Sequence, residues 1–316
     1  KMRYTYSRIC TRNMHGPLYF PPLTMALAAA AYLGSVHCER PPAPQQHASA
    51  ALSSRAKAKS ARAVVSIQAA QGLRPYMEDE SFVSQDGTFV GVYDGHGGSR
   101  VSSYLKRNLH LRMEEVLVKG EKNGKATKSV ENMASALKEA FDKVDKEVLR
   151  DAGMAIEGST AAVMVLSHPP ASGMEAADQE EEAEDGEKKY VISGNVGDSR
   201  AVLSRRGRAV ELTRDHKPNS PEERRRIEAL GGKVKWFGYY DTDGKPVEGT
   251  GVWRVNGNLA VARAFGDRFE RPYVSGECDI CVWEVEPKED QFIIVDSDGL
   301  WDVMSSTEAV KYVHNV

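Results

Sequence analysis

The apolar run Phe89-Val90-Gly91-Val92-Tyr93 ends in Asp94-Gly95-His96-Gly97-Gly98, so a strand there delivers a carboxylate and an imidazole together at its end. The glycines let a ligand come close to the backbone. The device recurs far along the chain, where Phe292-Ile293-Ile294-Val295 runs into Asp296-Ser297-Asp298-Gly299 and then Leu300-Trp301-Asp302. A helical turn after Gly299 places Asp298 and Asp302 near one face, four residues apart. Glu78-Asp79 forms a third acidic element and Asp198, in Gly194-Asn195-Val196-Gly197-Asp198-Ser199-Arg200, a fourth.

Carboxylates that converge inside a fold repel one another and lose hydration unless cations neutralise them. Oxygen donors without a His/Cys cluster suit Mg2+, Mn2+ or Ca2+ over zinc, copper or iron, and of these Mg2+ or Mn2+ is expected here. Two such ions roughly 4 Å apart can bridge a water, lower its pKa and clamp a phosphoryl group, which is the chemistry of phosphate-ester hydrolysis. A single Asp-Gly pair is usually only a turn; the argument rests on the combination.

Short apolar runs must position these acids. Strands are expected at Val64 to Ala69, Thr88 to Tyr93, Thr160 to Leu166, Lys189 to Ser193, Arg200 to Ser204, Ala209 to Leu212 and Gln291 to Asp296. Val101, Leu105, Leu109, Met113 and Leu117 have helical spacing, as do Met133, Leu137, Phe141, Val144 and Val148, giving an adjacent helix pair. A third helix is announced by Ser220-Pro221-Glu222-Glu223, read as a capping box, and ended by Gly231-Gly232; a fourth begins near Ser305 with Glu308 three residues on. Runs of strands with helices inserted in pairs favour antiparallel sheets layered with helices, an α/β sandwich.

Composition bounds the rest. A net charge of -3 and a pI near 6.3 provide no basic field for nucleic acid, so none is expected as a partner. Four cysteines are too few for a disulfide scaffold, and Cys278 and Cys281, in a predicted strand, read as unrelated residues and not as a metal knuckle. Residues 1–62 carry Arg3, Arg8, Arg12, Arg40, Arg55, Lys57, Lys59 and Arg62 against one acid, Glu39, which is the composition of a transit peptide and equally of a disordered tail. The run Leu23 to Leu33 is too short to span a bilayer but suits the apolar part of a signal peptide. The compartment therefore stays open, cytoplasmic or nuclear for a tail, organellar or secretory for a leader. Residues 63–316 read as one domain, interrupted by an acidic stretch, 175–187, with eight carboxylates and no aromatic residue, taken as a solvated loop.

Taken together, R-P-Y-M-E-D, V-Y-D-G-H-G-G, G-N-V-G-D-S-R, D-H-K-P, N-G-N-L-A-V-A-R-A-F-G-D and S-D-G-L-W-D resemble, in order, the motifs of the type 2C, metal-dependent (PPM) protein phosphatases. The resemblance implies an α-β-β-α sandwich of two mainly antiparallel sheets flanked by helix pairs, and hydrolysis of phosphoserine and phosphothreonine on proteins without a covalent phosphoenzyme. It implies Mg2+ or Mn2+ as cofactor, two ions with a weaker third, and phosphoprotein substrates as partners, with no stable membrane span and a monomer favoured.

Carried over by position, the resemblance makes Asp94 the carboxylate bridging both metals, with Glu78 and the Gly95 carbonyl completing one shell and Asp298 serving the other. Asp79 stands behind them, and Asp198, Asp298 and Asp302 match the weaker third site. Arg74 resembles the phosphate-binding arginine, whose planar fork grips two oxygens, and His96 the general acid that protonates the leaving oxygen. His216 is expected to be structural, and Arg263 and Asp267 to form a fold-stabilising pair. The sequence departs from the family in having Ala262 where serine is frequent, and it stops at Val316 before the last metal-ligand aspartate of the pattern. The alternatives are a catalytically weak pseudophosphatase scaffold or regulator, which has no need of these side chains, and a metal-dependent nuclease, which lacks a basic groove.

Overall fold

The computed structural model describes residues 30–32, 63–72, 74–122, 129–167 and 188–315. The acidic insertion and the N-terminal segment, apart from one strand, lie outside the described residues. In chain order the first elements are β1 (Ala30–Tyr32), β2 (Val64–Ser66), β3 (Glu80–Val83), β4 (Phe89–Tyr93), β5 (Gly95–His96), α1 (Arg100–Lys122) and α2 (Val130–Arg150). Then come β6 (Gly158–Ser159), β7 (Ala161–Ser167), β8 (Tyr190–Val196), β9 (Arg200–Arg205), β10 (Arg208–Glu211) and α3 (Pro221–Ala229). The last are β11 (Val234–Phe237), β12 (Val252–Val255), β13 (Phe265–Gly266), β14 (Asp279–Glu284), β15 (Asp290–Asp296), α4 (Asp298–Trp301) and α5 (Ser306–His314).

Two five-stranded sheets, ordered β14-β8-β7-β4-β3 and β10-β9-β15-β1-β2, are antiparallel throughout. Val90, Val92, Ala162 and Met164 of the first meet Ala201, Leu203, Ile293 and Val295 of the second in a core between the sheets. The outer face of the first sheet is covered by α1 and α2, whose Val101, Leu105, Leu109, Met113, Leu137, Phe141, Val144 and Val148 are buried, as the helical spacing requires. Phe141 is fully buried; truncating it to alanine costs about 3–5 kcal/mol, transfer and cavity together. On the other face α4 and α5 pack Trp301, Ala309 and Val310 on Val202, Phe292 and Ile294. The layers are α-β-β-α, the long helix pair being confined to one side.

Several expectations change in detail. The strand expected to reach Ala69 stops at Ser66, and β8 extends past Ser193 to Val196 because its partner β7 is long enough to pair with all of it. The half-buried strands β3, β11 and β12 carry no continuous apolar run and are formed by their partners. Ala30–Tyr32, within the segment read as a leader or tail, lies between β15 and β2. At α3 there is no capping box: the Ser220 hydroxyl donates to the Lys217 carbonyl at 2.6 Å, and Glu223 turns inward to arginines. Ser305 and Glu308 do form one at α5. Cys278 is buried, Cys281 is exposed, and both are free.

The ends of β4 and β15 meet at one edge of the sandwich, where a three-stranded sheet, β13-β6-β5, adds His96 beside them.

Candidate active site

Asp94 leaves β4, a strand buried along its whole length, and its backbone is clamped by Thr160: the Asp94 N–H donates to Thr160 Oγ1 at 3.3 Å, and the Thr160 N–H to the Asp94 carbonyl at 2.9 Å. Thr160 Oγ1 also lies 2.6 Å from Ser199 Oγ, tying the Asp94 turn to the Asp198 turn. Asp79 accepts from Ser297 Oγ at 3.0 Å and shares a hydrogen bond with Asp94, which shares another with Asp298. Four acidic elements distant in sequence are thus brought into one cluster. Gly95 is required by close approach, since a Cβ there would sit 2.5 Å from the Glu78 carbonyl oxygen and 2.7 Å from Ser102 Oγ. Ser102 Oγ itself donates to that carbonyl at 2.5 Å and holds the Glu78 segment on α1.

The electrostatics follow from geometry. Burial, then the charges of Asp298, Asp79 and Asp198, push the Asp94 carboxyl well above the usual range. Burial likewise raises Asp79 and Asp298, and pushes Asp198 up to about 7. Asp296, to which the sequence assigned no role, is 6% exposed and is also pushed up to about 7 by burial. Among the described residues no three acids close around a single point as a finished ligand set; they are held by mutual hydrogen bonds and by Lys217. An all-oxygen cluster whose charged form is this disfavoured fits a hard divalent cation, which restores the charged form of every member.

Arg74 and Glu78 lie at the rim, with Arg74 Nη1 3.6 Å from Glu78 Oε2. Asp302 caps α4 and is exposed, its N–H donating to the Asp298 carbonyl at 2.8 Å and its Oδ1 facing Lys217 Nζ at 3.2 Å. Trp301 fixes that turn, donating from Nε1 to the Asp296 carbonyl at 3.1 Å.

His96 is in contact with Asp267: Nε2 and Oδ2 are 2.7 Å apart. Burial opposes a charge on His96, but the Asp267 hydrogen bond and charge, with Asp198 and Glu78, hold its pKa above the ordinary value. The pair exists because β6 joins β5 to β13 and because Gly158 has no side chain, a Cβ there overlapping both His96 Nε2 and the Asp267 carboxylate. This corrects the expected Arg263–Asp267 pair. The segment between them is a short strand that turns at Asp267, with φ +47, and Asp267 faces His96. Arg263 instead grips buried Glu223 at 2.6 and 2.8 Å and reaches Asp279 Oδ1 at 3.1 Å.

His216 is wholly buried: its Nδ1 accepts from the Gly197 N–H at 3.1 Å, and its Nε2 lies 3.1 Å from Asp279 Oδ2. It holds the Gly197–Asp198 turn. Sequence reasoning missed Thr160, Asp267 and Lys217 as contributors to the site. The only signal for Asp267 was the adjacent glycine.

The sequence pattern described as Protein phosphatase 2C matches residues 63–316. The chain belongs to the protein phosphatase 2C family. Probable protein phosphatase 2C 11 of Arabidopsis thaliana is 38% identical over 78% of this chain and 56% of its own length. Probable protein phosphatase 2C 45 of Oryza sativa subsp. japonica is 35% identical over 78% of this chain and 74% of its own. The chain spans roughly half to two thirds of the length of most such relatives, among them 59% of probable protein phosphatase 2C 69 of Arabidopsis thaliana. Among solved structures, a sex-determining protein of C. elegans matches with a TM-score of 0.59 and 25% identity over 77% of this chain and 53% of that one. A serine-threonine phosphatase 2C from Toxoplasma gondii, at TM-score 0.55 and 22% identity over 77% and 79%, shows the fold alone. Among the described residues of the 2C-family domain, no helix is long and apolar enough to cross a membrane.

Proposed function

We propose that this chain is the catalytic domain of a protein serine/threonine phosphatase that hydrolyses phosphoserine and phosphothreonine by metal-activated water attack. The observation that supports it is the convergence of Asp79, Asp94, Asp198 and Asp298 from four separate strand ends beside Arg74 and the His96–Asp267 pair. Asp94 would hold both of two Mg2+ or Mn2+ ions, with Glu78 and the Gly95 carbonyl on one and Asp298 on the other; Asp198, Asp298 and Asp302 would hold a weaker third. When bound, the ions supply a water of lowered pKa and charge neutralisation for the phosphoryl group.

The remaining work belongs to the side chains. Arg74, at the rim, presents a planar fork to two phosphate oxygens once a substrate competes with Glu78 for it. His96 has Nε2 engaged by Asp267, which leaves Nδ1 to deliver a proton to the departing seryl or threonyl oxygen. Asp267 orients the ring and favours its charged form. Asp79, tied to Ser297, keeps Asp94 in place. A scaffold or regulator would have no use for this arrangement.

The test is turnover of a phosphothreonine peptide with Mn2+, with and without chelator. Activity that requires Mn2+ and disappears on chelation is expected; chelator-resistant turnover, or none at any Mn2+ concentration, overturns the reading.

A further inference from the structure

Lys217 belongs to no predicted element, yet it is anchored as firmly as the acids it faces. The preceding His216 is wholly buried and exchanges backbone and side-chain hydrogen bonds with Gly197, next to Asp198. The Lys217 carbonyl accepts both the Ser220 N–H, at 3.0 Å, and the Ser220 hydroxyl, at 2.6 Å. From this fixed root the side chain, 37% exposed, extends over the acidic cluster, placing Nζ 3.2 Å from Asp302 Oδ1 and 3.7 Å from Asp198 Oδ2. The charge of Lys217 also acts on Asp298, which lies beside the same two acids. Burial alone would discourage the ammonium, but Asp198, Asp302 and Asp215 override it and hold its pKa above the ordinary lysine value.

The oxygens that bind this ammonium are those assigned above to the weakest of the cation positions. A divalent ion held by Asp198 and Asp302 would lie within a few ångströms of the ammonium now paired with them, and two cations that close repel, so the ion is favoured when Lys217 moves away. The side chain is partly exposed and has four flexible methylenes, so it can withdraw into solvent without disturbing His216 or Ser220. We propose that Lys217 is the chain's own counter-cation for the position bounded by Asp198, Asp298 and Asp302. A divalent ion enters by displacing it, and Lys217 thereby sets how weakly that ion binds. Removal of Lys217 leaves the carboxylates in need of a cation, and the position tightens. This inference rests on the metal-dependent reading of the cluster.

The experiment is calorimetric titration of Mn2+ into the metal-free wild-type protein, Lys217→Met, and Lys311→Met, which removes an exposed charge on α5 away from these acids. The wild type is expected to show two tight equivalents and a weaker class. In Lys217→Met the weaker class tightens by about tenfold, the size of one unit of coupling on the pKa scale, while Lys311→Met leaves it unchanged. A weaker class that is unmoved or loosened in Lys217→Met, or that tightens equally in Lys311→Met, overturns the assignment alone, because the two tight equivalents still report the metal centre. Absence of Mn2+ binding in all three proteins overturns both readings. An independent measurement needs no variant: with 13C at lysine Cε, the Lys217 signal of the wild-type protein must move over the Mg2+ range that fills the weaker class. A signal still at its metal-free position at saturation also overturns the proposal.

Discussion

Gly158→Ala places a methyl group where His96 Nε2 and the Asp267 carboxylate now meet, so the two side chains must part. Neither has an easy alternative. Asp267 is buried, at φ +47, with its N–H bonded to the Glu157 carbonyl at 3.0 Å, and His96 is paired through β5 to Gly158 itself. What is lost is a charge-assisted contact of 2.7 Å, worth about 1.5–3 kcal/mol. If that contact serves to orient and charge the proton donor, the loss appears in the barrier as about 10- to 150-fold in kcat. It appears only where the leaving oxygen needs a proton. Turnover of a phosphothreonine peptide should therefore fall by that factor, while an aryl phosphate, whose leaving group is stable as an anion, falls by less than about threefold. Asp267→Asn, which keeps the shape and removes the charge, should reproduce the selective loss. Steady-state kinetics of both variants on both substrates, at matched folded concentration by circular dichroism, decide the matter. Equal losses on the two substrates, or a selective loss in Gly158→Ala that Asp267→Asn does not share, would show that the pair shapes the turn and plays no part in proton delivery.

Three further outcomes are expected. Arg263→Met removes both hydrogen bonds to Glu223 Oε1 and leaves that carboxylate, 2% exposed, with Arg226 on Oε2 alone; it should cost about 1.5–3 kcal/mol in urea denaturation, Arg263→Met/Glu223→Gln should recover part of it, and a cost below about 1 kcal/mol contradicts the pairing. Asp279 is held well below the usual carboxylate range, first by its hydrogen bond to His216 and then by the charges of Arg263 and Arg214. A depressed folded pKa gives stability that is complete above the unfolded value, about 3.9, and fades as pH falls through the folded one. Asp279→Asn should flatten the acid limb of a stability profile below about pH 4, and an unchanged limb contradicts the assignment. In metal-free protein Asp94→Asn relieves repulsion from Asp298, Asp79 and Asp198, so its melting temperature should rise, by about 2–4 °C per kcal/mol of relief. Mn2+ should then raise the melting temperature of the wild type and much less that of the variant, with turnover lost; equal Mn2+ responses in calorimetry and melting would remove Asp94 from the metal centre.

The sequence by itself determined the carriers of the chemistry and the elements beneath them. Phe89 to Tyr93 and Phe292 to Val295 are apolar because they run between packed layers, and their acidic ends follow from where a buried strand must emerge. Helical spacing foretold the buried face of α1 and α2, since that face has to meet the sheet. These are local signals, written within a few residues. What only the tertiary structure decided are relations across long separations. Asp267 faces His96, 171 residues away, because a two-residue strand lies between them and Gly158 leaves room. Arg263 answers Glu223 and not the acid four residues on, because the strand β13 between them carries Asp267 round to His96. Lys217 reaches Asp302, 85 residues later, because buried His216 fixes the loop from which it extends. Side-chain direction at such points is set by which backbones pair and where no Cβ intervenes, and neither is encoded in the spacing of residue types.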